Sequence, residues 1–132
     1  MSQENVEVVR RAVEAWNRRD RRAWLALFRS DAELDWSRAR GPLKGVYRGH
    51  RELEAFSNEL WSTFEDARLE TYGWAEAGSE IVYSNTVHMR GRQGIEVAAK
   101  STLVSTVENG QITRLRMFQE RAEALEAAGL RE

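Results

Sequence analysis

The first hydrophobic pattern along the chain has the spacing of a helix. Val9, Val13 and Trp16 recur at intervals of three and four residues, and many of the positions between them are charged. Such a stripe predicts an amphipathic helix, which is stabilised when its apolar face is buried. The polar residues 17–20 end this helix.

A second, shorter helix is predicted directly after the first. Asp20 is suited to cap its N-terminus, because a carboxylate there accepts backbone N–H groups and complements the helix dipole. This helix carries Trp24, Leu27 and Phe28. The period then changes at residues 31–36, where apolar and acidic residues alternate as in a strand with one buried face.

The remainder of the chain contains a loop, one more long helix and a series of strands. Residues 37–49 hold three of the nine glycines and the only proline, which predicts a loop, and residues 50–64 carry the apolar stripe of a third helix. Four extended segments follow, at residues 68–77, 80–90, 95–107 and 111–120. Asn109-Gly110 joins the last two as a hairpin, and a short helix is predicted at residues 122–128.

This order of elements predicts one α+β domain over residues 1–132. Long antiparallel strands twist, so the sheet is expected to curve around whatever lies on its concave side. The predicted core comprises Val9, Val13, Leu27, Phe28, Leu34, Phe56 and Leu60.

Composition narrows the class of protein. Hydrophobic residues make up 42% and charged residues 31%, as in an ordinary soluble domain, and five Trp indicate an aromatic-rich core or cavity. The net charge of −1 argues against nucleic acid as a partner. The absence of a leader or a long apolar run predicts a cytoplasmic protein without membrane contact.

Three segments of the chain carry a family resemblance. Residues 15–36, 109–118 and 120–130, in this order of elements, resemble the nuclear transport factor two-like superfamily, and more specifically its SnoaL-like branch of polyketide cyclases and ketosteroid isomerase relatives. The resemblance implies a cone-shaped, cystatin-like α+β fold with a curved antiparallel sheet, three N-terminal helices on its concave face, and a hydrophobic pocket. It also implies a homodimer through the outer sheet face, which holds His88, Arg114, Arg116 and Phe118.

The residues that the family's best-known enzymes use are missing here. Ala12 and Trp36 stand where ketosteroid isomerases have the oxyanion-hole Tyr and the general-base Asp. Lys100 falls near the position where those enzymes have their second oxyanion-hole acid. Met117 stands where limonene epoxide hydrolase has a carboxylate, and residues 80–90 contain no Arg-x-Asp pair. The resemblance therefore argues against both activities, and this superfold hosts many others.

Strand alternation divides each strand into two faces, and the family resemblance implies which of them looks into the pocket. The predicted pocket set is Asn85, Val87, Leu115, Met117 and Gln119 on the strands, with Trp16 and Trp36 as an aromatic wall. A mostly apolar surface with a few polar members is typical of a small-molecule site. The alternative is a filled core whose polar side chains satisfy one another.

Lys100 and Tyr83 are the candidate catalytic residues. Lys100 reaches the cavity if Ala98 and Thr102 also face inward, and burial there would depress the pKa of its amine. In the other register Ser101 and Leu103 face inward, and Lys100 lies in water or at a dimer surface.

Two functional hypotheses follow. The first is an isomerase, cyclase or dehydratase that acts on a hydrophobic carbonyl compound with Lys100 and Tyr83 as acid and base. The second is a non-catalytic ligand-binding or dimerisation module. Neither requires a cofactor, because the sequence lacks a Walker or dinucleotide fingerprint. The two histidines, His50 and His88, lie in no metal-binding pattern, so no metal is expected.

Overall fold

A computed structural model of the protein describes residues 2–91 and 93–130. Its elements are α1 (Ser2–Asn17), α2 (Arg21–Ala26), β1 (Phe28–Asp35), β2 (Val46–Arg48), α3 (Gly49–Thr63), β3 (Phe64–Ala77), β4 (Glu80–Gly91), β5 (Glu96–Glu108), β6 (Gln111–Phe118) and α4 (Arg121–Ala127). The predicted α+β class and curved sheet are confirmed. The turn between β4 and β5 includes Arg92, which lies outside the described residues.

The strands form one open sheet with the order β2-β1-β6-β5-β4-β3. Strands β3 to β6 are the predicted antiparallel meander. β1 departs from the antiparallel expectation, because it runs parallel to β6 with Leu34 beside Leu115. These two strands are separated by most of the chain, so no hairpin fixes their relative direction.

The start of the chain agrees with its hydrophobic pattern up to α2. The Asp20 carboxylate accepts the backbone N–H of Ala23 at 3.1 Å and caps this helix as predicted. The helix ends earlier than expected, since Leu27 is its C-cap and Phe28 already begins β1. Residues 46–48, which were expected in a loop, form β2 by pairing with β1.

Helices α1, α2 and α3 pack on the concave face of the sheet and enclose the main core. Of the predicted core residues, two are only half-buried, Leu27 and Leu60. The other five are buried: Val9, Val13, Phe28, Leu34 and Phe56.

Helix α4 covers part of the opposite, convex face. Ala124 and Leu125 of this helix pack against Val82, Val104 and Phe118 in a second, smaller core. Phe118 was expected at a dimer surface, but it is 3% exposed because α4 already lies over it. Dimerisation through the rest of this face stays a prediction.

Candidate functional site

A cavity of about 70 Å³ lies between the three N-terminal helices and the concave face of the sheet. Most of its lining is buried and apolar, with Phe28, Leu34, Leu103 and Ile112 among the residues that line it. Four lining residues are only half-buried: Trp36, Leu60, Leu69 and Val87. These four mark the rim where the cavity approaches the protein surface.

Aromatic rings form one wall of the cavity. Trp16 lies 5.1 Å from Trp24 and 6.2 Å from Phe56, measured between ring centroids. Phe56 in turn meets Trp36 edge-on at 5.3 Å. The Trp16 indole donates a hydrogen bond to the Ala67 carbonyl at 3.2 Å, which fixes its orientation. Trp16 and Trp36, both predicted from the sequence, therefore belong to one aromatic cluster.

Tyr83, another lining residue, is held in place by a stack of side chains. The Tyr83 ring lies nearly parallel to the Trp74 ring, with 4.5 Å between centroids. The Arg10 guanidinium lies over the Trp74 ring, 4.6 Å from its centroid. Trp74 reaches this position through a bulge in β3, where Gly73 has a φ of +67°. On the other side of the bulge, Arg121 of α4 donates to the Gly73 carbonyl at 2.8 Å.

The Tyr83 hydroxyl is a donor at neutral pH. Burial raises the pKa of Tyr83 to about 12, against a small opposing effect of the Ser105 hydroxyl. A phenol with this pKa keeps its proton near pH 7, so it can donate a hydrogen bond but is a poor general base.

Two buried polar atoms beside Tyr83 have no hydrogen-bond partner among the described residues. They are Asn85 Oδ1 and Ser105 Oγ. The Asn85 amide group donates instead to the Ser101 carbonyl at 2.9 Å and to the Ser101 hydroxyl at 2.7 Å. The Ser105 hydroxyl lies near that of Tyr83 and lowers its pKa. Of the two residues, Ser105 lines the cavity, whereas Asn85 lies outside the lining.

Lys100 lies on the other side of the sheet. It is exposed and pairs with Thr86, while the neighbouring pairs Asn85–Ser101 and Tyr83–Leu103 point into the core. This is the second of the two registers considered from the sequence. The structure therefore does not bring Lys100 and Tyr83 together.

The remaining predicted pocket residues divide into two groups. Val87 and Leu115 line the cavity. Asn85 and Met117 are buried on the same face but are not part of the lining. Gln119 lies near the surface, where its amide donates to the Arg38 carbonyl at 2.9 Å.

Ser105 was missed from the sequence, although a signal for it exists. Two positions beyond Leu103 on β5, it shares that residue's face, so the register that buries Leu103 also turns Ser105 inward. The sequence allowed two facings of β5, and the prediction with Leu103 inward did not extend to Ser105.

Asp35, which adjoins Trp36 in the chain, is not a free base. Asp35 was expected in solvent but is 8% exposed, and it is absent from the cavity lining. Burial raises the pKa of Asp35, but the Ser37 hydroxyl and amide, together with the Arg38 charge, outweigh this effect and hold its pKa below the usual value.

Within residues 2–91 and 93–130, no cluster of three or more His, Asp or Glu side chains could hold a metal ion. No helix in that part of the chain has the length and apolar character needed to cross a membrane.

The comparison with protein families agrees with this architecture. A model of the SnoaL-like domain matches residues 9–115. This chain belongs to the SnoaL-like domain family. The curated proteins include no match to it.

Solved structures similar to this SnoaL-like protein extend over almost its whole length. An NTF2-like protein of unknown function from Burkholderia pseudomallei is 28% identical, with a TM-score of 0.79 and coverage of 97% of this chain and 98% of that one. TerC, co-crystallised with polyporic acid, is 19% identical with a TM-score of 0.80, covering 95% and 97%. A Mycobacterium tuberculosis protein in complex with estradiol-17beta-hemisuccinate is 15% identical with a TM-score of 0.79, covering 89% and 94%. The last two likenesses show the fold alone.

Proposed function

We propose that this SnoaL-like protein binds a small hydrophobic molecule in the cavity and performs no acid–base chemistry on it. The observation that carries the proposal is the lining, which is apolar apart from Tyr83, Ser105 and the indole N–H groups. Small-molecule sites commonly combine such a surface with a few polar groups that fix orientation. Two structural neighbours, TerC and the Mycobacterium tuberculosis protein, were solved with small organic molecules, which supports the same class of ligand.

The lining argues against the isomerase, cyclase or dehydratase alternative. Proton abstraction beside a carbonyl needs a base whose pKa lies near the working pH. Tyr83 is the only ionisable side chain among the lining residues, and its pKa of about 12 is too high for that role. Lys100, the expected partner, is on the other face of the sheet.

The size of the cavity sets a condition on the ligand. A cavity of about 150 Å³ is known to admit benzene, whereas this one has about 70 Å³. An aromatic ring can therefore enter only if rim side chains such as Trp36, Leu60 or Leu69 move. Half-buried side chains at a rim can do so at lower cost than the close-packed interior.

The experiment is a titration with acetophenone, a small aromatic ketone, followed by calorimetry and by the emission of the lining tryptophans. The wild type should show saturable binding. Ala12→Leu places a larger side chain in the lining and should weaken binding at least about ten-fold while the protein remains folded. Lys100→Met is the matched control and should bind as the wild type does.

Two results would contradict the proposal. One is the absence of saturable binding to the wild type. The other is an Ala12→Leu variant that is folded and binds unchanged, since acetophenone would then lie outside the cavity.

A further inference from the structure

We propose that the outer edge of β3 is a self-complementary interaction surface for a second copy of this chain, and that the Asn17 side chain keeps it closed. Strand β3 lies at one end of the sheet and runs for 14 residues, whereas β2 at the other end has three. An edge strand presents backbone N–H and C=O groups that another strand can pair with. The inference concerns this long edge and does not depend on the proposed ligand-binding function.

The Asn17 side chain takes the place of a neighbouring strand beside Leu69. Its amide nitrogen donates to the Leu69 carbonyl at 3.0 Å, and its amide oxygen accepts the Leu69 N–H at 2.8 Å. A side-chain amide offers a donor and an acceptor side by side, so these two bonds are of the kind that a residue of a seventh strand would make. While Asn17 makes them, Leu69 cannot pair with another chain.

Other side chains bind the same strand, but at single atoms. Three more carbonyls of β3 accept hydrogen bonds from side chains: Phe64 from Arg19 at 2.9 Å, Ala67 from Trp16 at 3.2 Å, and Gly73 from Arg121 at 2.8 Å. Asn17 differs from these donors because it engages both backbone groups of one residue, in the middle of the strand. Its loss would therefore open the edge more than the loss of any one of the others.

The edge around Leu69 is complementary to itself in charge. In an antiparallel pair of two β3 strands with a two-fold axis at Leu69, Arg68 of each copy stands opposite Glu70 of the other. Both side chains are exposed, so they are free to meet across the strands. Opposite charges at facing positions stabilise strand pairing. A second copy of this chain is therefore the partner that this edge fits once Asn17 no longer occupies Leu69.

The first measurement is the exchange rate of the Leu69 amide proton, followed by NMR at low protein concentration. The amide should exchange at least about five-fold faster in Asn17→Ala than in the wild type, a factor that corresponds to the loss of one hydrogen bond. An unchanged rate would show that Asn17 does not close this edge and would overturn the proposal.

Sedimentation velocity over a range of concentrations then measures self-association. Asn17→Ala should form a species of twice the wild-type mass, and its Leu69 amide should become protected again as the concentration rises, because the two edges pair. Asp20→Ala is the matched control, since it removes the cap of α2 in the adjoining turn without touching β3. It should keep the wild-type mass. Equal association of both variants would trace the effect to lost stability and overturn the proposal.

Two further substitutions in the Asn17→Ala background locate the contact. In the antiparallel strand Thr71 directs its N–H outward as Leu69 does, so Thr71→Pro removes a donor from the edge and leaves the bonds to β4 in place. This variant should return to the wild-type mass. Arg68→Glu sets like charges opposite each other in the symmetric pair and should weaken association at least about five-fold.

Three outcomes would contradict the inference. One is a folded Asn17→Ala protein with the wild-type mass at every concentration. Another is association that persists with Thr71→Pro, since the copies would then pair elsewhere, and the third is association that Arg68→Glu leaves unchanged. If Asn17→Ala does not fold, Asn17→Ser decides in its place, because the shorter side chain cannot bind both groups of Leu69.

Discussion

The two faces of β4 and β5 differ in how far their hydroxyl and amide groups are hydrogen-bonded. On the convex face, the Ser84 and Thr102 hydroxyls lie 3.0 Å apart across the strands, and Arg121 donates to Ser84 at 2.7 Å. On the concave face, Ser105 Oγ and Asn85 Oδ1 have no partner in the described part of the chain.

Side chains are also packed more closely on the convex face than on the concave face. On the convex side Val82, Val104 and Phe118 are closed off by α4. On the concave side the helices stand far enough from the sheet to leave the cavity. Two further buried atoms without partners, Trp61 Nε1 and Arg116 Nε, belong to residues outside the cavity lining, so unsatisfied groups are not confined to it. Arg116 pairs with Val104 on the convex face, so the contrast holds for the hydroxyl and amide groups of β4 and β5 and not for every buried polar group.

The largest change in the free energy of unfolding is expected from a truncated side chain beneath α4 on the convex face. Phe118→Ala removes a side chain that α4 covers and should lower the free energy of unfolding by about 3–5 kcal/mol, since the closed packing leaves a void. Urea denaturation measures this change. Ile95→Ala is the control: Ile95 is 67% exposed, so the loss should stay within about 0.5 kcal/mol. A loss below about 1 kcal/mol for Phe118→Ala would mean that this face is not closely packed.

A second prediction concerns the concave face at high pH. The pKa of Tyr83 is raised from 10.0 to about 12, so the unfolded chain releases this proton first. Stability from this group is therefore complete below pH 10 and lost between pH 10 and 12, by up to about 3 kcal/mol. Urea denaturation across this range should show a shallower decline for Tyr83→Phe than for the wild type. Tyr72→Phe, at a 45% exposed position, should follow the wild type. Identical pH profiles for all three would refute it.

The smallest effect tests the polar network of the convex face. Arg121→Ala removes the donors to the Ser84 hydroxyl and the Gly73 carbonyl and should lower the free energy of unfolding by about 1–3 kcal/mol. Arg11→Ala breaks only an exposed pair with Glu7 and should change the free energy by less than about 0.5 kcal/mol. Equal results for the two arginines would remove the distinction between the faces.

Much of the fold follows from local pattern. The three-and-four spacing of Val9, Val13 and Trp16 located α1, the Asp20 cap located α2, and Asn109-Gly110 located the last hairpin. The errors arose where distant contacts outweigh that pattern. Phe28 continues the helical spacing but pairs with Ile112 of β6, and residues 46–48 form a strand only because β1 lies beside them.

The site was less predictable than the fold. Alternation divided β4 into two faces, and the family resemblance indicated that the face of Tyr83 and Val87 looks inward, where both line the cavity. The first half of β5 is exposed on both faces, so no buried side set its register, and the facing of Lys100 stayed open. The cavity itself depends on how far α1 and α3 stand from the sheet, which no single residue determines.

Gly73 joins the two faces through one backbone position. Its positive φ makes the bulge that turns Trp74 onto Tyr83, and its carbonyl is held by Arg121 at the start of α4. A Cβ at this position would stand 3.0 Å from the Arg121 guanidinium. Helix α4 therefore stabilises the position of Tyr83, a residue that lines the cavity, from the convex side of the sheet. The shape of the cavity depends in part on this helix, although α4 contributes no residue to the lining.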